Sequence, residues 1–239
     1  MADLSGWSPR DAPRRALLEG ALVRLEPLDP TRHSDDLYDT STVVNASEKF
    51  RYLFDDPPSS REEFNQWIHT ASASKTVDHF AVILKSSGKV VGRQAFMRTD
   101  QTHGTTEIGS IYWGPDVART PAATEALYLF AKHAFDDLGY RRFEWKCDAQ
   151  NAPSRKSAIR FGFTFEGVFR HHMVVKGKNR DTAWFAMISP EWPLIKSAFQ
   201  KWLLPDNFDK DGVQIRKLEE FRKDMELSSS SLGVDEVVE

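Results

Sequence analysis

An α+β fold with a mixed, mostly antiparallel sheet is the architecture the sequence predicts, and three observations predict it. Runs of β-branched and aromatic residues at 79–85, 90–98 and 105–113 follow one another with only turn residues between them, as in an antiparallel meander. The next such run, 142–148, is separated from 105–113 by a strongly helical segment at 121–138, which is long enough for a parallel crossover. Two further runs, 167–175 and 182–188, are joined by the turn Gly177-Lys178-Asn179. Six or seven strands with one parallel pair at the centre, flanked by helices, follow from that order.

Taken along the chain, residues 1–15 are polar, carry Pro9 and Pro13, and read as a disordered lead. Leu22-Val23-Arg24-Leu25 is a first short strand, closed by Pro27 and Pro30. Asp35 to Val44 has the composition of a short helix, and the aromatic stretch Lys49 to Phe54 stops at Asp55-Asp56-Pro57-Pro58. Ser59 and Ser60 each precede a glutamate by three residues, a capping-box spacing, and Phe64, Trp67, Ile68 and Ala71 follow with helical period. The segment 121–138 is expected to open with Thr120 as cap and Pro121 in the first turn, and to stop at Gly139. Its apolar stripe is Ala123, Leu127, Phe130, Ala134 and Leu138. Pro153 to Phe161 is a short helix ended by Gly162, and Pro190 to Leu204 another helix. Gln214 to Met225 reads as a charged amphipathic helix, and the serines from Ser228 onward as a disordered tail. The expected organisation is a lead at 1–15, one domain at 16–204, a helical extension at 205–227 and a tail at 228–239.

Composition narrows the class. The chain has 239 residues, 40% of them apolar, and its 16 Phe and 7 Trp suffice for a core without disulfides or metal. A formal charge of −3 argues against a protein that coats nucleic acid. The single cysteine, Cys147, excludes an internal disulfide and a multi-cysteine zinc site, and no His-x-His or His-Glu-x-x-His spacing occurs, so no metal is expected. No 18-residue apolar run is present and Met1–Arg15 lacks an apolar core, which predicts neither a membrane span nor a signal peptide. A cytoplasmic setting is the expectation, with the nucleus left open.

The chemistry-bearing stretch runs from Glu107 to Trp192. Glu107-Ile108-Gly109 lies on a strand, Thr124-Glu125-Ala126-Leu127 early in the next helix, Asn151 with Ser154 opens the helix after that, and Gly162-Phe163 is followed by Glu166-Gly167. Together, in this order, these marks resemble the GNAT superfamily of acyl-CoA-dependent N-acetyltransferases, and most of all its ribosomal-protein N-terminal acetyltransferase branch. The resemblance implies a GNAT fold whose central parallel strands splay apart. It also implies acetyl-CoA as acyl donor, an amine as acceptor, and a monomer or homodimer. A non-catalytic acyl-CoA-binding module on the same fold is the alternative, favoured by two departures. The family's phosphate loop, Gln/Arg-x-x-Gly-x-Gly/Ala, aligns with Ala118-Arg119-Thr120-Pro121-Ala122-Ala123, where Pro121 replaces the central glycine and has no N–H. The tyrosine that many members carry four residues before Gly-Phe is Ala158. An interaction protein using the helix at 214–225 is a third possibility.

The resemblance places the pyrophosphate of coenzyme A at the start of the helix at 121–138, where Arg119, the Thr120 hydroxyl and the N–H groups of Ala122, Ala123 and Thr124 would contact it. Asn151 would touch the pantetheine arm, as would Ser154; both also fit a plain helix-capping turn. Lys156, with Arg155 and Arg160, would meet the adenosine 3′-phosphate or simply face solvent. Backbone N–H near Tyr112–Trp113 would stabilise an oxyanion. Glu107 is the candidate base, expected on one strand face with Gly109, Ile111 and Trp113; Glu144 is its rival, with a salt-bridging role toward Lys146 or Arg141 as the alternative. Cys147 alternates with Phe143 and Trp145 as a buried small side chain would, and His171 and His172 point to opposite strand faces. The resemblance places Asp55, Asp56, Phe50, Tyr52 and Phe54 in the acceptor wall, which would suit a cationic amine; the same residues also fit an ordinary loop and core strand.

Overall fold

The computed structural model describes residues 3–13 and 16–232. An eight-stranded sheet forms its centre, in the order β1-β2-β3-β4-β5-β6-β8-β7. The strands are β1 (Leu18–Glu19), β2 (Val23–Pro27), β3 (Val77–Leu84), β4 (Val90–Asp100), β5 (Thr105–Trp113), β6 (Arg142–Asp148), β7 (Thr164–Val175) and β8 (Lys178–Ile188). Every neighbouring pair is antiparallel except β5–β6. The added strand, β1, is two residues long, too short to show a period in the sequence. The β7–β8 turn sits one residue earlier than expected, at Lys176-Gly177. Both residues have positive φ (49° and 71°), the twist a two-residue hairpin needs.

Seven helices flank the sheet: α1 (Pro30–Ser41), α2 (Ala46–Phe50), α3 (Arg61–Ser72), α4 (Pro121–Lys132), α5 (Ala152–Phe161), α6 (Trp192–Trp202) and α7 (Leu218–Leu232). Pro30, read as a strand terminator, instead begins α1, because the Asp29 carboxylate accepts the Thr31 N–H at 2.8 Å and proline suits the first helical turn. The aromatic stretch at 49–54 contains the end of α2 rather than a strand. At α3 both serines act. Ser60 Oγ accepts the Glu63 N–H at 3.1 Å, and the Glu63 carboxylate accepts the Ser59 N–H at 2.9 Å. α4 runs into a π-helical turn at His133–Asp137 before Gly139 reverses the chain at φ 66°.

The main core lies between one sheet face and α4–α6, with Phe80, Phe96, Phe130, Phe143 and Phe185 fully enclosed and the Phe96 and Phe130 rings stacked at 4.0 Å. A second cluster joins α1 and α3 to the opposite face through Leu37, Phe64, Ile68, Ala81 and Ile83. Glu125, buried on α4, accepts the N–H groups of Ala21, Leu22 and Val23 at 2.8, 2.7 and 2.8 Å, and so fastens the β1–β2 turn to the helix. Gly20 is required there, since a Cβ would stand 2.4 Å from that carboxylate.

The lead and the extension differ from expectation. Residues 3–13 are tied to the domain. Trp7 Nε1 donates to the Thr102 carbonyl at 2.8 Å, Arg10 N–H to the Gln101 carbonyl at 2.9 Å, and the Tyr140 hydroxyl to the Asp11 carbonyl at 2.8 Å. The Trp7 ring occupies the space over Gly104 that a Cβ would need. After α6 the chain turns on the buried Asn207, whose amide bonds the Trp202 and Arg216 carbonyls at 3.0 and 3.1 Å. α7 starts four residues later than expected, packs on α5 and α6 with Leu218 fully buried, and continues through 228–232, where a tail was expected. Positions 233–239 of that tail lie outside the described residues.

Candidate active site

β5 and β6 pair only over Thr105–Ile108 and Arg142–Trp145, and beyond Ile108/Trp145 each strand keeps its outer neighbour alone. The cause is a bulge in β5. Gly109 and Tyr112 oppose Ala95 and Arg93, so one extra residue is inserted near Ser110, which takes φ 50°. Gly114 N–H donates to the Val91 carbonyl at 2.8 Å. By strand alternation Tyr112 also turns its backbone groups to β4, while those of Ile111 and Trp113 turn into the gap. Of the pair Tyr112–Trp113, the Trp113 N–H is therefore the one that faces the opening. The Tyr112 side chain serves structure: its ring packs on Phe50, its hydroxyl donates to the Thr40 carbonyl, and burial pushes its pKa up to about 12.

A cleft of about 680 Å³ occupies the gap and reaches the sheet face opposite α4. It is lined by Glu107, Tyr112, Trp113, Asn151 and Ser154 among the residues singled out by sequence. A second cavity of about 560 Å³ lies at the start of α4, with Arg119, Thr120, Ala123 and Thr124 in its wall. Trp113, Ala118 and Ser157 line both, so the path is continuous from the sheet face to the helix N-terminus. The Trp113 indole is fixed by Gln94 Oε1 at 3.1 Å.

The helix start is built differently from a simple cap. Thr120 occupies the cap position, but its hydroxyl donates back to the Val117 carbonyl at 2.7 Å and does not cap the helix. No side chain caps the N–H groups of Ala122, Ala123 and Thr124, which leaves the first turn open toward an anion. Arg119 is held at φ 66°, a left-handed turn in a non-glycine residue. Lys156 is exposed and lines neither cavity. Arg160, one turn further along α5, faces the second cavity instead and donates to Thr124 Oγ1 at 3.1 Å. Phe208, Val213 and Gln214 of the extension close the far wall.

Glu107 is 3% exposed, not a solvent-facing strand residue. Oε1 accepts Arg98 Nη1 at 2.8 Å and Oε2 stands 2.9 Å from Lys146 Nζ. The bulge changes its neighbours: Ile111 and Trp113 pack with the main core, whereas Tyr112 belongs to the opposite side, so Glu107 does not share a face with Ile111 and Trp113. Glu144 lies outside the cleft and pairs with Arg142 at 2.6 Å and Lys146 at 2.7 Å, matching the salt-bridging alternative with Arg142 in place of Arg141. Asn151 caps α5, accepting the Ser154 N–H at 3.1 Å, and Ser154 Oγ accepts the Trp145 indole N–H at 3.0 Å; both residues thus cap and line the cleft.

Cys147 lines the cleft as a buried thiol, and burial raises its pKa, which disfavours the thiolate a nucleophile needs. A bulge at 170–172 brings His172, bonded to Thr182 Oγ1 at 2.9 Å, to the cleft and leaves His171 outside it. Tyr52, Phe54 and Asp55 stand in the wall, but Phe50 is buried behind Tyr112 and Asp56 pairs with Lys176 at 2.8 Å outside the wall. Asp55 is bound by Arg93, so it offers no free charge to a cationic amine. Sequence reasoning missed Arg93, Arg98, Arg180 and Trp184, and it named Lys146 only as a partner for Glu144. For Lys146 the signal was its alternation with Trp145 and Cys147, which puts it on the half-buried second face of the strand.

An opened parallel pair beside an uncapped helix N-terminus is the arrangement that the sequence resemblance implies for an acyl-CoA-dependent acyltransferase. Residues 23–164 match the family model described as "Acetyltransferase (GNAT) domain", and the chain belongs to that family of N-acetyltransferases, whose donor is acetyl-CoA. It is 55% identical to a GCN5-related N-acetyltransferase from Brucella melitensis whose crystal structure superposes with a TM-score of 0.91, covering 92% of this chain and 100% of that one. It is 29% identical over 138 residues to N-acetyltransferase p20 of Bacillus licheniformis, covering 56% of this chain and 75% of the relative. It is also 25% identical over 172 residues to a protein of Bacillus subtilis (strain 168) named as a ribosomal N-acetyltransferase, YdaF, covering 70% and 90%. No helix among the described residues is long and apolar enough to cross a membrane.

Proposed function

We propose that this N-acetyltransferase binds acetyl-CoA along the β5–β6 gap and transfers the acetyl group directly to a primary amine, on a small molecule or a protein N-terminus, in a ternary complex. The observation that carries the reading is the continuous path from the sheet face, between two strands with free backbone groups, to the open first turn of α4. The backbone of Ile111 and Trp113 pairs with the amides of the pantetheine arm as an added strand would. Asn151 and Ser154 border the same arm. The pyrophosphate lies at Arg119, Thr120 and the N–H groups of Ala122, Ala123 and Thr124, which offsets the N–H lost at Pro121. Arg160, rather than Lys156, takes the 3′-phosphate.

A primary amine titrates near pH 10 and needs a proton acceptor at neutral pH. Glu107 fills that role directly or through water, with Arg98 and Lys146 orienting its carboxylate. The Trp113 N–H stabilises the oxyanion. The thiolate leaves without a dedicated acid, since Ala158 stands where a tyrosine would and the Ser157 hydroxyl is engaged by the Pro153 carbonyl at 3.0 Å. Thermal melts with millimolar acetyl-CoA, followed by turnover assays over a panel of amines, test the proposal. A raised melting temperature with acetylated product is expected. A shifted melt with no turnover selects the non-catalytic acyl-CoA module, and an unshifted melt removes the binding assignment.

A further inference from the structure

β8 presents to the cleft two buried donors that lack acceptors, and neither lines the second cavity at the start of α4. Arg180 is 7% exposed, its Nε has no hydrogen-bond partner, and its guanidinium forms no ion pair among the described residues. The Trp184 indole N–H is also buried without a partner. Both side chains line the cleft, lie four residues apart on one strand, and therefore share a face. Each group can only donate, so what satisfies it must bring acceptor atoms.

The surroundings do not supply them. The Phe54 ring, 5.0 Å from the Arg180 guanidinium, offers a cation–π contact and no acceptor oxygen. The nearest counter-charges are Asp148 and Glu107. Asp148 spends Oδ1 on the Gln150 N–H at 2.8 Å, and Glu107 is held by Arg98 and Lys146. The cleft wall as a whole carries five Lys and Arg side chains against three carboxylates, so it favours an anion.

We propose that the amine acceptor also carries a carboxylate, and that Arg180 anchors it on the acceptor side of the cleft. The inference rests on the N-acetyltransferase reading and reverses the cationic acceptor expected from Asp55 and Asp56. A buried guanidinium is costly without a partner, and its planar fork matches a carboxylate in two parallel hydrogen bonds.

The test compares β-alanine, 4-aminobutyrate and phenylalanine, each against its primary amide, using the full chain with saturating acetyl-CoA. Binding of each compound to the coenzyme A-loaded protein is measured by calorimetry alongside turnover. At least one acid is expected to exceed its amide by roughly 10- to 100-fold in kcat/KM, mostly through KM, as a charge-assisted hydrogen-bond pair supplies. Arg180→Met should bring that ratio close to one, and Arg180→Lys should keep part of it. The coenzyme A-induced melting shift should be the same in both variants as in the wild type. Amides accepted as well as acids throughout would overturn the anchor and leave the acetyltransferase reading intact. Acids that bind through Arg180 without any turnover would support the anchor and sink the transferase reading. Acids that neither bind nor react would overturn the anchor. Should Arg180→Met fail to fold, the wild-type preference between acid and amide decides alone.

Discussion

Replacing Glu107 removes the proposed proton acceptor, and it also takes from Arg98 its ion-pair partner and from Lys146 one of two counter-charges. Glu107→Gln is expected to lower kcat by roughly 10²–10⁴, the span for loss of a general base. Acetyl-CoA affinity should change little, and part of the activity should return at high pH, where free amine is abundant. Glu144→Gln is the comparison: it disturbs the same lysine from outside the cleft, so a milder fall with an unshifted pH profile is expected. Equal losses in the two variants would assign Glu107 to holding Lys146 rather than to proton transfer. Glu125 tests a different role. It is the one acceptor for three backbone donors of the β1–β2 turn. Glu125→Ala should cost on the order of 3 kcal/mol in denaturant unfolding, because buried N–H groups left unpaired are expensive. A loss below about 1 kcal/mol would show that water or the backbone replaces it.

In the proposed complex, α4 and α5 divide the contacts to the donor. The first turn of α4 is open because Thr120 turns its hydroxyl away, and α5 contributes Arg160 at the cavity edge. Arg160→Ala is expected to weaken coenzyme A binding roughly tenfold while leaving dephospho-coenzyme A almost unaffected, since a charge-assisted contact to the 3′-phosphate is what disappears. Lys156→Ala should be silent with both. Calorimetric titration of the two ligands reads the difference, and equal weakening of both would move Arg160 to the pyrophosphate. The periodicity of α5 marked its basic residues but not their direction. Arg160 is carried inward by its place over Phe161 and Trp202, with its guanidinium 5.2 and 4.9 Å from those rings. Trp202 belongs to α6, some forty residues away in sequence.

At the scale of the whole molecule, residues 3–13 and the extension after α6 pack against the sheet and its helices. Residues 3–13 cover Gly104 and Tyr140, and the extension after α6 walls the second cavity. Deleting residues 1–13 is expected to uncover the Trp7 and Tyr140 contacts and lower the melting temperature, by about 2–4 °C for each kcal/mol lost in a domain of this size. Residues 3–13 do not line the cleft, so the KM values should hold. A truncated protein that melts with the full chain would show that these contacts contribute nothing. Cutting the chain before Asn207 should instead weaken the donor, because it removes Phe208, Val213 and Gln214 from the cavity wall.

The sequence by itself determined every strand but the two-residue β1, together with the crossover and the parallel pair. Thr105 to Trp113 and Arg142 to Asp148 carry β-branched and aromatic runs with clear period, and Gly139 and Gly162 end the helical segments that follow each of them. These signals are local, since each rests on residues within a few positions of one another. The family marks, spread over about 85 residues, implied the donor and the place proposed for it. Only the tertiary structure decided what those side chains face. One inserted residue near Ser110 turned Ile111 and Trp113 into the core and left Glu107 with Arg98 and Lys146, and no composition or spacing announces a bulge. The same holds for Trp7 against Gly104 and for Arg180 beneath Phe54, contacts made between segments roughly 100 residues or more apart. A charged residue in a sequence has no partner until the chain closes around it, so the charge balance of the cleft, and with it the acceptor chemistry, is a property of the folded molecule.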